Sequence, residues 1–335
     1  MKLFVALMKY DYGVVERGFS YEYYNIYLPL CDVYGAGNVL LFDYFAEVKK
    51  SGKIEMNKKL KDAIKNEKPD VSLFCLFTYE FDEDTLISLK EFTKTVVYFF
   101  DDPWRQNFVR YWIEYFDYFT TPDFYMWKQY ELEGFKNVIY SPFGFNPSIY
   151  KTLDLEKIYD VSFVGAYNPY RRWVINLLRK QGIKINVFGR FWNNKSWISQ
   201  EDMVKIFNQS KINLNLSNAI SYDFRFLFHS LTSLEAMKQI YLVKKNKEQI
   251  KGRHYEINGC GGFQLSYFVP GLNLAYEIDK EIVVFENPAN IAGQVKFFLN
   301  NEDLRNEIAQ NGYNRSQKEH QAQFYLERMI KTILK

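Results

Sequence analysis

The stretch Lys251–Ser266 reads KGRHYEINGCGGFQLS. It runs from a helix start through a group of glycines into an apolar run, the order in which a helix returns to a strand of a parallel sheet. Lys251 and Arg253 supply fixed positive charge that suits a diphosphate. Glu256 can accept two hydrogen bonds from a ribose diol. The stretch therefore predicts both an α/β fold and an anionic ligand.

The glycines of the same stretch admit two interpretations. Gly261 and Gly262 let the backbone approach a ligand and offer amide N–H groups near a helix terminus, so we expect them to bind this anionic ligand. The alternative is an exposed helix that ends in a glycine cap.

Outward from this stretch, short apolar runs alternate with helical patterns along the whole chain. Because these runs are continuously apolar, they predict strands that are covered on both faces, as in a parallel sheet. The expected strands are Lys2–Met8, Asn38–Asp43, Val71–Thr78, Thr95–Asp101, Tyr118–Thr121, Asn137–Phe143, Tyr159–Gly165, Ile185–Gly189, Lys211–Ser217 and Glu281–Phe285.

A stretch rich in Pro and Gly, residues 141–150 (SPFGFNPSIY), interrupts the alternation and indicates a linker. We therefore expect two Rossmann-like domains, residues 1–148 and 149–318. A C-terminal helix, residues 319–335, is expected to pack back toward the first domain.

Composition indicates a globular protein, with 47% hydrophobic and 25% charged residues. No run approaches the ~18–20 apolar residues of a membrane span. The N-terminus resembles a first strand rather than a signal peptide, and three widely spaced cysteines suggest reduced thiols. We therefore expect a cytoplasmic protein, in which peripheral membrane contact stays open.

Charge differs between the two halves of the chain. Residues 1–150 carry 17 Lys/Arg against 22 Asp/Glu, whereas residues 151–335 carry 26 against 18. The basic second half suits a diphosphate ligand, and the acidic first half disfavours duplex DNA. Modified DNA stays open as a partner, beside surface polysaccharide, lipid-linked glycan and protein.

Four segments together resemble a known family. Lys251–Ser266 resembles the Lys-x-Arg-x-Phe-Glu and Cys-Gly-Gly element of the CgeB-like, spore-maturation-type glycosyltransferases of the GT-B clan. Residues 139–150, Val161–Arg172 (VSFVGAYNPYRR) and residues 304–328 resemble, in the same order, that family's interdomain turn, phosphate loop and closing run. The resemblance covers roughly residues 95–330. Asn306, Glu307 and Gln321 depart from the family's text.

The resemblance implies a GT-B fold, in which two parallel sheets face each other across a cleft. It implies a glycosyltransferase that moves a hexose-type sugar from a UDP- or GDP-sugar to a glycan or another hydroxyl acceptor, for example in polysaccharide biosynthesis. Gly165 and an arginine, Arg171 or Arg172, would meet the pyrophosphate, and Gly189 joins the expected donor-binding set. Glu248 and Glu256 reproduce the Glu-x7-Glu spacing of retaining GT-B enzymes.

Catalysis would consist of stabilising the charge that builds on the leaving diphosphate, a role for Lys251 and Arg253 that needs no metal and no cofactor. The three histidines show no ligand spacing, and His254 is expected to face solvent. We expect Arg253→Ala and Glu256→Ala to stop turnover and to leave the thermal melt nearly unchanged.

The acceptor is expected on the first domain. Asp101 and Asp102, at the end of an expected strand, are candidate general bases, and Trp104 could stack on a sugar. Arg17, in the loop after the first strand, is a further acceptor-binding candidate. The alternative for the Asp-Asp-Pro-Trp segment is a helix start with proline in the first turn.

Three other functions stay open. A metal-dependent GT-A transferase could use Asp82 and Asp84 as a D-x-D site, although these residues also suit an acidic first helical turn. A sugar-nucleotide epimerase shares the expected architecture. A GT-B module without catalysis would bind a sugar nucleotide and show no turnover.

Overall fold

The computed structural model describes residues 1–192 and 198–335 and divides the chain into two compact α/β units. Unit 1 comprises residues 1–146 and 321–335, and unit 2 comprises residues 147–320. These boundaries lie two residues from the positions that the sequence suggested. Each unit contains one parallel sheet flanked by helices, so the expected fold class is confirmed.

Both sheets are built from short strands. They are β1 (Leu3–Leu7), β2 (Val39–Asp43), β3 (Val71–Phe74), β4 (Lys94–Val97), β5 (Tyr118–Thr121), β6 (Val138–Tyr140), β7 (Tyr159–Val164), β8 (Ile185–Phe188), β9 (Ser210–Asn215), β10 (Gln264–Tyr267) and β11 (Val283–Phe285). Unit 1 orders its strands β2-β1-β3-β4-β5-β6, and unit 2 orders them β11-β10-β9-β7-β8.

The helices of the described residues connect and cover these strands. They are α1 (Leu28–Tyr34), α2 (Tyr44–Glu67), α3 (Glu83–Leu89), α4 (Gln106–Trp112), α5 (Phe124–Leu132), α6 (Pro169–Lys180), α7 (Gln200–Gln209), α8 (Phe224–Ser230), α9 (Leu234–Leu242), α10 (Arg253–Gly259), α11 (Leu272–Ala275), α12 (Pro288–Asn300), α13 (Glu302–Glu319) and α14 (Ala322–Ile333). Among the described residues, no helix is long and apolar enough to cross a bilayer.

Strand β1 shows why the apolar runs are continuous. Leu3, Val5 and Leu7 enter one core cluster, whereas Phe4 and Ala6 enter another on the opposite face of the sheet. Since side chains of a strand alternate between faces, a strand covered on both sides needs apolar residues at every position. All five residues of β1 are buried.

The C-terminal helix α14 belongs to unit 1 although unit 2 precedes it in the chain. Leu326, Met329 and Ile330 are buried in the same core cluster as one face of β1. A parallel bridge between Phe145 and Gln321 joins the start of the helix to the end of the first segment of unit 1. Apolar residues at helical spacing thus anchor the last segment.

One strand prediction needs correction. The expected strand Thr95–Asp101 ends at Val97, so Asp101 lies in the loop beyond it. The sequence after Ser217 has only a weak helical pattern, although it forms the two helices α8 and α9. Their pattern is weak because the outer face of this helix pair is apolar, so the usual contrast between a buried and a polar face is missing.

Candidate functional site

Two glycines meet at the carboxyl end of the sheet in unit 2. Gly165 follows β7, and its N–H donates to the carbonyl of Phe188 at 2.9 Å. Gly189 follows β8 and has φ of +125°, where a Cβ atom would lie 2.4 Å from the Gly165 oxygen. Only glycine fits such an approach, so Gly189 allows the turns after two neighbouring strands to touch. Ligands of parallel α/β sheets bind at this end.

Arg171 joins two loops of this end, the one after β7 and the one after β9. Its guanidinium donates to the carbonyls of Ala166, Leu216 and Ser217 at 2.8, 2.8 and 3.0 Å. Burial, together with the nearby charge of Arg253, lowers the pKa of Arg171 to about 10. The side chain therefore remains a cation, while much of its hydrogen-bonding capacity holds the strand ends together.

Arg172 points to another partner. It pairs with Glu235 of α9 at 3.0 Å, and the Tyr167 hydroxyl donates to the same carboxylate at 2.5 Å. Of the two expected phosphate ligands, Arg171 is thus the one that lies among the strand ends, and Arg172 connects α6 to α9.

Arg253 begins α10, and its side chain packs along the helix. The guanidinium contacts the Glu256 carboxylate at 2.5 Å and the Met203 sulfur at 2.7 Å. The other Glu256 oxygen accepts from the Tyr150 hydroxyl at 2.8 Å. Glu256 is only 4% exposed, whereas the Arg253 side chain keeps 25% of its surface open.

This geometry separates the two roles expected in the stretch Lys251–Ser266. Arg253 stays accessible to an anion. Glu256 already satisfies both carboxylate oxygens within unit 2, so its expected contact with a ribose would require these bonds to exchange.

His254 is completely buried, so its expected solvent-facing position is wrong. Its Nδ1 lies 3.0 Å from the Lys251 amide nitrogen, and its ring packs edge-on to Tyr267 at 5.0 Å. Burial lowers the pKa of His254 to about 4. The histidine is therefore neutral at pH 7, and the positive charge of this segment resides on Lys251 and Arg253.

The glycine amides at the other end of α10 donate within the chain, and their expected contact with a ligand stays a prediction. The N–H of Gly261 donates to Asn258 at 2.9 Å, and that of Gly262 donates to Ile257 at 3.0 Å. Gly261 has φ of +70°, the left-handed conformation of a helix cap. A Cβ atom at Gly262 would lie 2.7 Å from the side-chain amide nitrogen of Asn213. Backbone conformation at Gly261 and close packing at Gly262 thus explain why both residues are glycine.

Glu248 precedes α10 and accepts a hydrogen bond from Ser217. Although the residue as a whole is exposed, loss of solvation around its carboxylate raises its pKa, against the lowering by Ser217. Since Arg171 binds the Ser217 carbonyl, Glu248 lies at the same end of the sheet. Glu248 and Glu256 differ in environment: the first borders this end, and the second is an internal partner of Arg253.

In unit 1, the two expected bases have different environments. Asp102 is 0% exposed and accepts from the Tyr130 hydroxyl at 2.9 Å. Burial raises the pKa of Asp102 to about 6, against the lowering by a hydrogen bond from Thr121. The Asp102 carboxylate is thus enclosed in the core, and its expected role as a general base stays a prediction. Asp101 is partly exposed and remains a candidate.

Glu22 is a carboxylate that the sequence analysis missed. It lies at the start of the helical segment after β1, directly before the π-helical turn Tyr23–Tyr27. Burial raises the pKa of Glu22 to about 7; a Ser20 hydrogen bond lowers it, and the charges of Asp11 and Asp101 raise it further. An acidic residue in the loop region after the first strand, followed by an aromatic helix, was the available signal.

The remaining acceptor candidates border these carboxylates. Arg17 lies 3.8 Å from Asp11 and above the Tyr12 ring. Trp104 lies in the short helical turn after Asp101, beside Arg105. The structure therefore brings Arg17, through Asp11, to the same region as Glu22 and Asp101.

The D-x-D residues begin α3, with Asp82 at the N-cap and Asp84 in an acidic first turn. Asp82 pairs with Lys53 at 3.0 Å, and Glu83 accepts from the Tyr111 hydroxyl. Within the part of the chain that the structure describes, no group of three metal-ligating side chains was found.

Comparison with known proteins gives a consistent picture of the fold. Residues 171–331 match a family model described as "Glycosyl transferase-like". No curated protein sequence matches the chain. Anabaena HepE in complex with UDP and glucose aligns over 99% of both chains, with 9% identity and a TM-score of 0.66.

Two further solved structures align over nearly the full length. A glycosyltransferase from Rickettsia africae covers 99% of this chain and 97% of its own, with 10% identity and a TM-score of 0.63. A putative UDP-N-acetylglucosamine 2-epimerase from Listeria monocytogenes covers 99% and 95%, with 9% identity and a TM-score of 0.57. At such identities the likeness establishes the GT-B fold and leaves the reaction to the residues of the site.

Proposed function

We propose that this chain is a glycosyltransferase that takes a hexose-type sugar from a nucleotide-sugar donor and passes it to a hydroxyl acceptor. The observation that carries the proposal is the arrangement in unit 2, where Arg171 and Arg253 bring two cations to the carboxyl end of a parallel sheet. Gly165 and Gly189 form close turns at the same end. The UDP and UDP-glucose complexes of HepE support a uridine nucleotide as the first donor to test.

The chemistry follows from where charge develops. Breaking the bond between the sugar and the diphosphate transfers an electron pair to the leaving phosphate oxygen. Fixed cations stabilise that oxygen more in the transition state than in the ground state. Arg253 is suited to this role because its guanidinium is held by Glu256 and remains partly exposed. Lys251, two residues earlier, is the second expected cation.

We also propose that transfer is retaining and independent of metal. The spacing of Glu248 and Glu256 supports the first point, and the cations at 171, 251 and 253 support the second. Transfer should persist in EDTA, whereas a transferase that used Asp82 and Asp84 to hold a metal would lose activity.

UDP is expected to raise the Tm of the protein by about 3–6 °C at a concentration near 100 times its Kd, because binding to the folded state alone stabilises it. The measurement is a thermal-shift series with UDP, GDP, ADP and CMP. The Arg253→Ala variant should lose most of the shift. Lys180→Ala, an exposed cation at the far end of α6, should keep it. No shift with any of the four nucleotides would contradict the proposal.

The epimerase alternative rests on the likeness to the Listeria structure. An epimerase would convert the sugar nucleotide without an acceptor, and a binding module would show a thermal shift without turnover. Separation of free UDP, the donor and its epimer after incubation with and without an acceptor distinguishes the three functions.

For the acceptor, we propose that Glu22 and Asp101 of unit 1 interact with the reacting hydroxyl and that Glu22 accepts its proton. Glu22 is favoured over Asp102 because the residue is partly exposed, whereas Asp102 is completely buried. A base that titrates close to neutral pH can both accept and release a proton efficiently. Arg17 and Trp104 stay as proposed acceptor contacts.

Glu22→Gln is expected to lower kcat/KM by about 10²-fold or more and to remove the rise of activity with pH near 7. The same variant should stabilise the fold above pH 7 by about 1–3 kcal/mol. The pKa of Glu22 is raised from 4.5 to about 7 in the folded state, so folding takes up a proton between these pH values. Stability of the wild type therefore falls as pH rises through this window. The difference in stability between the wild type and Glu22→Gln vanishes below pH 4.5.

Urea unfolding and initial rates at pH 5 to 8.5 measure the two effects. Glu16→Gln, an exposed carboxylate of the same loop, is the control and should behave like the wild type. An unaltered pH profile in Glu22→Gln would remove Glu22 from the reaction. The groups that face Glu22 and must be counted in the fit are Ser20, Asp11, Asp101, Tyr44 and Cys75.

A further inference from the structure

The helix pair α8–α9 and its flanks, residues 222–247, present an unusual amount of apolar surface. Nine of the 26 exposed large hydrophobic side chains found among the described residues fall within residues 222–243. Leu231, Tyr241 and Leu242 are 78%, 80% and 73% exposed. The nine are Tyr222, Phe224, Phe228, Leu231, Leu234, Met237, Tyr241, Leu242 and Val243.

This surface belongs to a packed element. Phe226 is completely buried and contacts the rings of Tyr170 and Trp173 on α6, at 5.3 and 5.5 Å between centroids. Gln239 is 4% exposed and accepts from the Tyr170 amide at 3.0 Å. The inner face therefore fixes the pair to unit 2, and the outer face carries the apolar residues. Outer faces of surface helices are normally polar, so an apolar one marks an interaction site.

Charge around the face identifies the partner. The segment carries the cations Arg225, Lys238, Lys244, Lys245 and Lys247 against two acids, Asp223 and Glu235. Both acids are engaged: Asp223 pairs with Arg225, and Glu235 pairs with Arg172. The lysines thus border the apolar face with positive charge.

A protein partner suits this composition poorly, because protein interfaces are depleted of lysine. An anionic bilayer suits it well, since apolar side chains enter the acyl boundary and lysines remain at the headgroups.

We propose that the α8–α9 face binds the surface of an anionic lipid bilayer. Phe228, Leu231 and Tyr241 insert at the boundary between headgroups and acyl chains, and Lys244 and Lys247 contact the lipid phosphates. The proposal does not rest on the proposed function, because it uses none of the residues assigned to donor or acceptor.

Co-sedimentation with vesicles tests it, using phosphatidylcholine alone or with roughly a third phosphatidylglycerol. The wild type is expected to pellet with the mixed vesicles at least about 10-fold more strongly, and salt should weaken this binding. A triple Phe228→Ser, Leu231→Ser, Tyr241→Ser variant should lose it. Lys244→Glu with Lys247→Glu should also lose it. The control is Ile54→Ser with Leu132→Ser, which removes equally exposed apolar residues outside the face and should bind normally.

Thermal melts and UDP shifts of all variants verify that they are folded. Three results would overturn the proposal: equal pelleting with both vesicle types, unaltered binding by the triple variant, or no binding by the wild type. If the wild type instead forms a dimer that the triple variant abolishes, the face is an interface between two copies of the chain, and the lipid proposal fails.

Discussion

Arg253→Ala is expected to lower kcat/KM for sugar transfer by about 10²–10³-fold, the loss typical of removing one group that stabilises charge in a transition state. The reason lies in the position of the guanidinium. It begins α10, keeps a quarter of its side-chain surface open and is close enough to Arg171 to affect its pKa. Arg253→Lys should recover part of the rate, because it keeps the charge but loses the planar fork.

A double variant separates this role from a structural one. Arg253 also neutralises the buried Glu256, so Arg253→Ala could act by leaving an unpaired carboxylate. Glu256→Gln removes that charge and keeps an oxygen for Tyr150. The variant Arg253→Ala with Glu256→Gln should recover stability but remain slow in transfer. Recovery of the rate in this double variant would assign Arg253 to structure and contradict the proposed contact with the leaving diphosphate.

Glu256→Ala is expected to lower the free energy of unfolding by about 3–5 kcal/mol, the usual cost of breaking a buried ion pair by removing one partner. The carboxylate is 4% exposed and binds Arg253 at 2.5 Å and Tyr150 at 2.8 Å. Its loss leaves a half-buried guanidinium and a buried hydroxyl without their acceptor. Urea unfolding of unit 2 measures the effect.

Two further variants separate the contributions of the hydrogen bond and the ion pair to stability. Tyr150→Phe removes one hydrogen bond and should lower the free energy of unfolding by only about 1 kcal/mol. The loss in Glu256→Gln should lie between those in Tyr150→Phe and Glu256→Ala. A Glu256→Ala variant as stable as the wild type would mean that the carboxylate is not held as described. In that case the expectation from the sequence, a loss of turnover with an unchanged melt, would stand.

The roles of Glu256 and His254 differ between the sequence and the structure. From the sequence, Glu256 and Arg253 had equivalent ligand roles, and His254 was expected at the surface. The structure makes Glu256 an internal partner that positions Arg253, and it buries His254 against Tyr267. The Arg253–Glu256 pair is local, but the other partner of Glu256 is Tyr150, 106 residues away in the chain.

The order of strands and helices could be predicted from the sequence alone. Continuous apolar runs predicted all but one of the eleven strands found in residues 1–192 and 198–335. The exception is β10, which was anticipated only as the apolar end of the stretch Lys251–Ser266. The start of helix α6 also has a local signal, since Asn168 caps it and proline begins it. The ends of strands were predicted less accurately, as the early end of β4 at Val97 shows. Apolar residues continue past that point because they pack in loops above the sheet.

The sequence by itself therefore determined the class of fold and which segments carry positive charge, because periodicity and charge are local properties of the chain. Tertiary structure alone decided which carboxylates are sealed and which reach solvent. It enclosed Asp102 and Glu256, left Asp101 partly open and raised the pKa of Glu22. Solvation of a carboxylate depends on every atom packed around it, and those atoms come from segments distant in the chain.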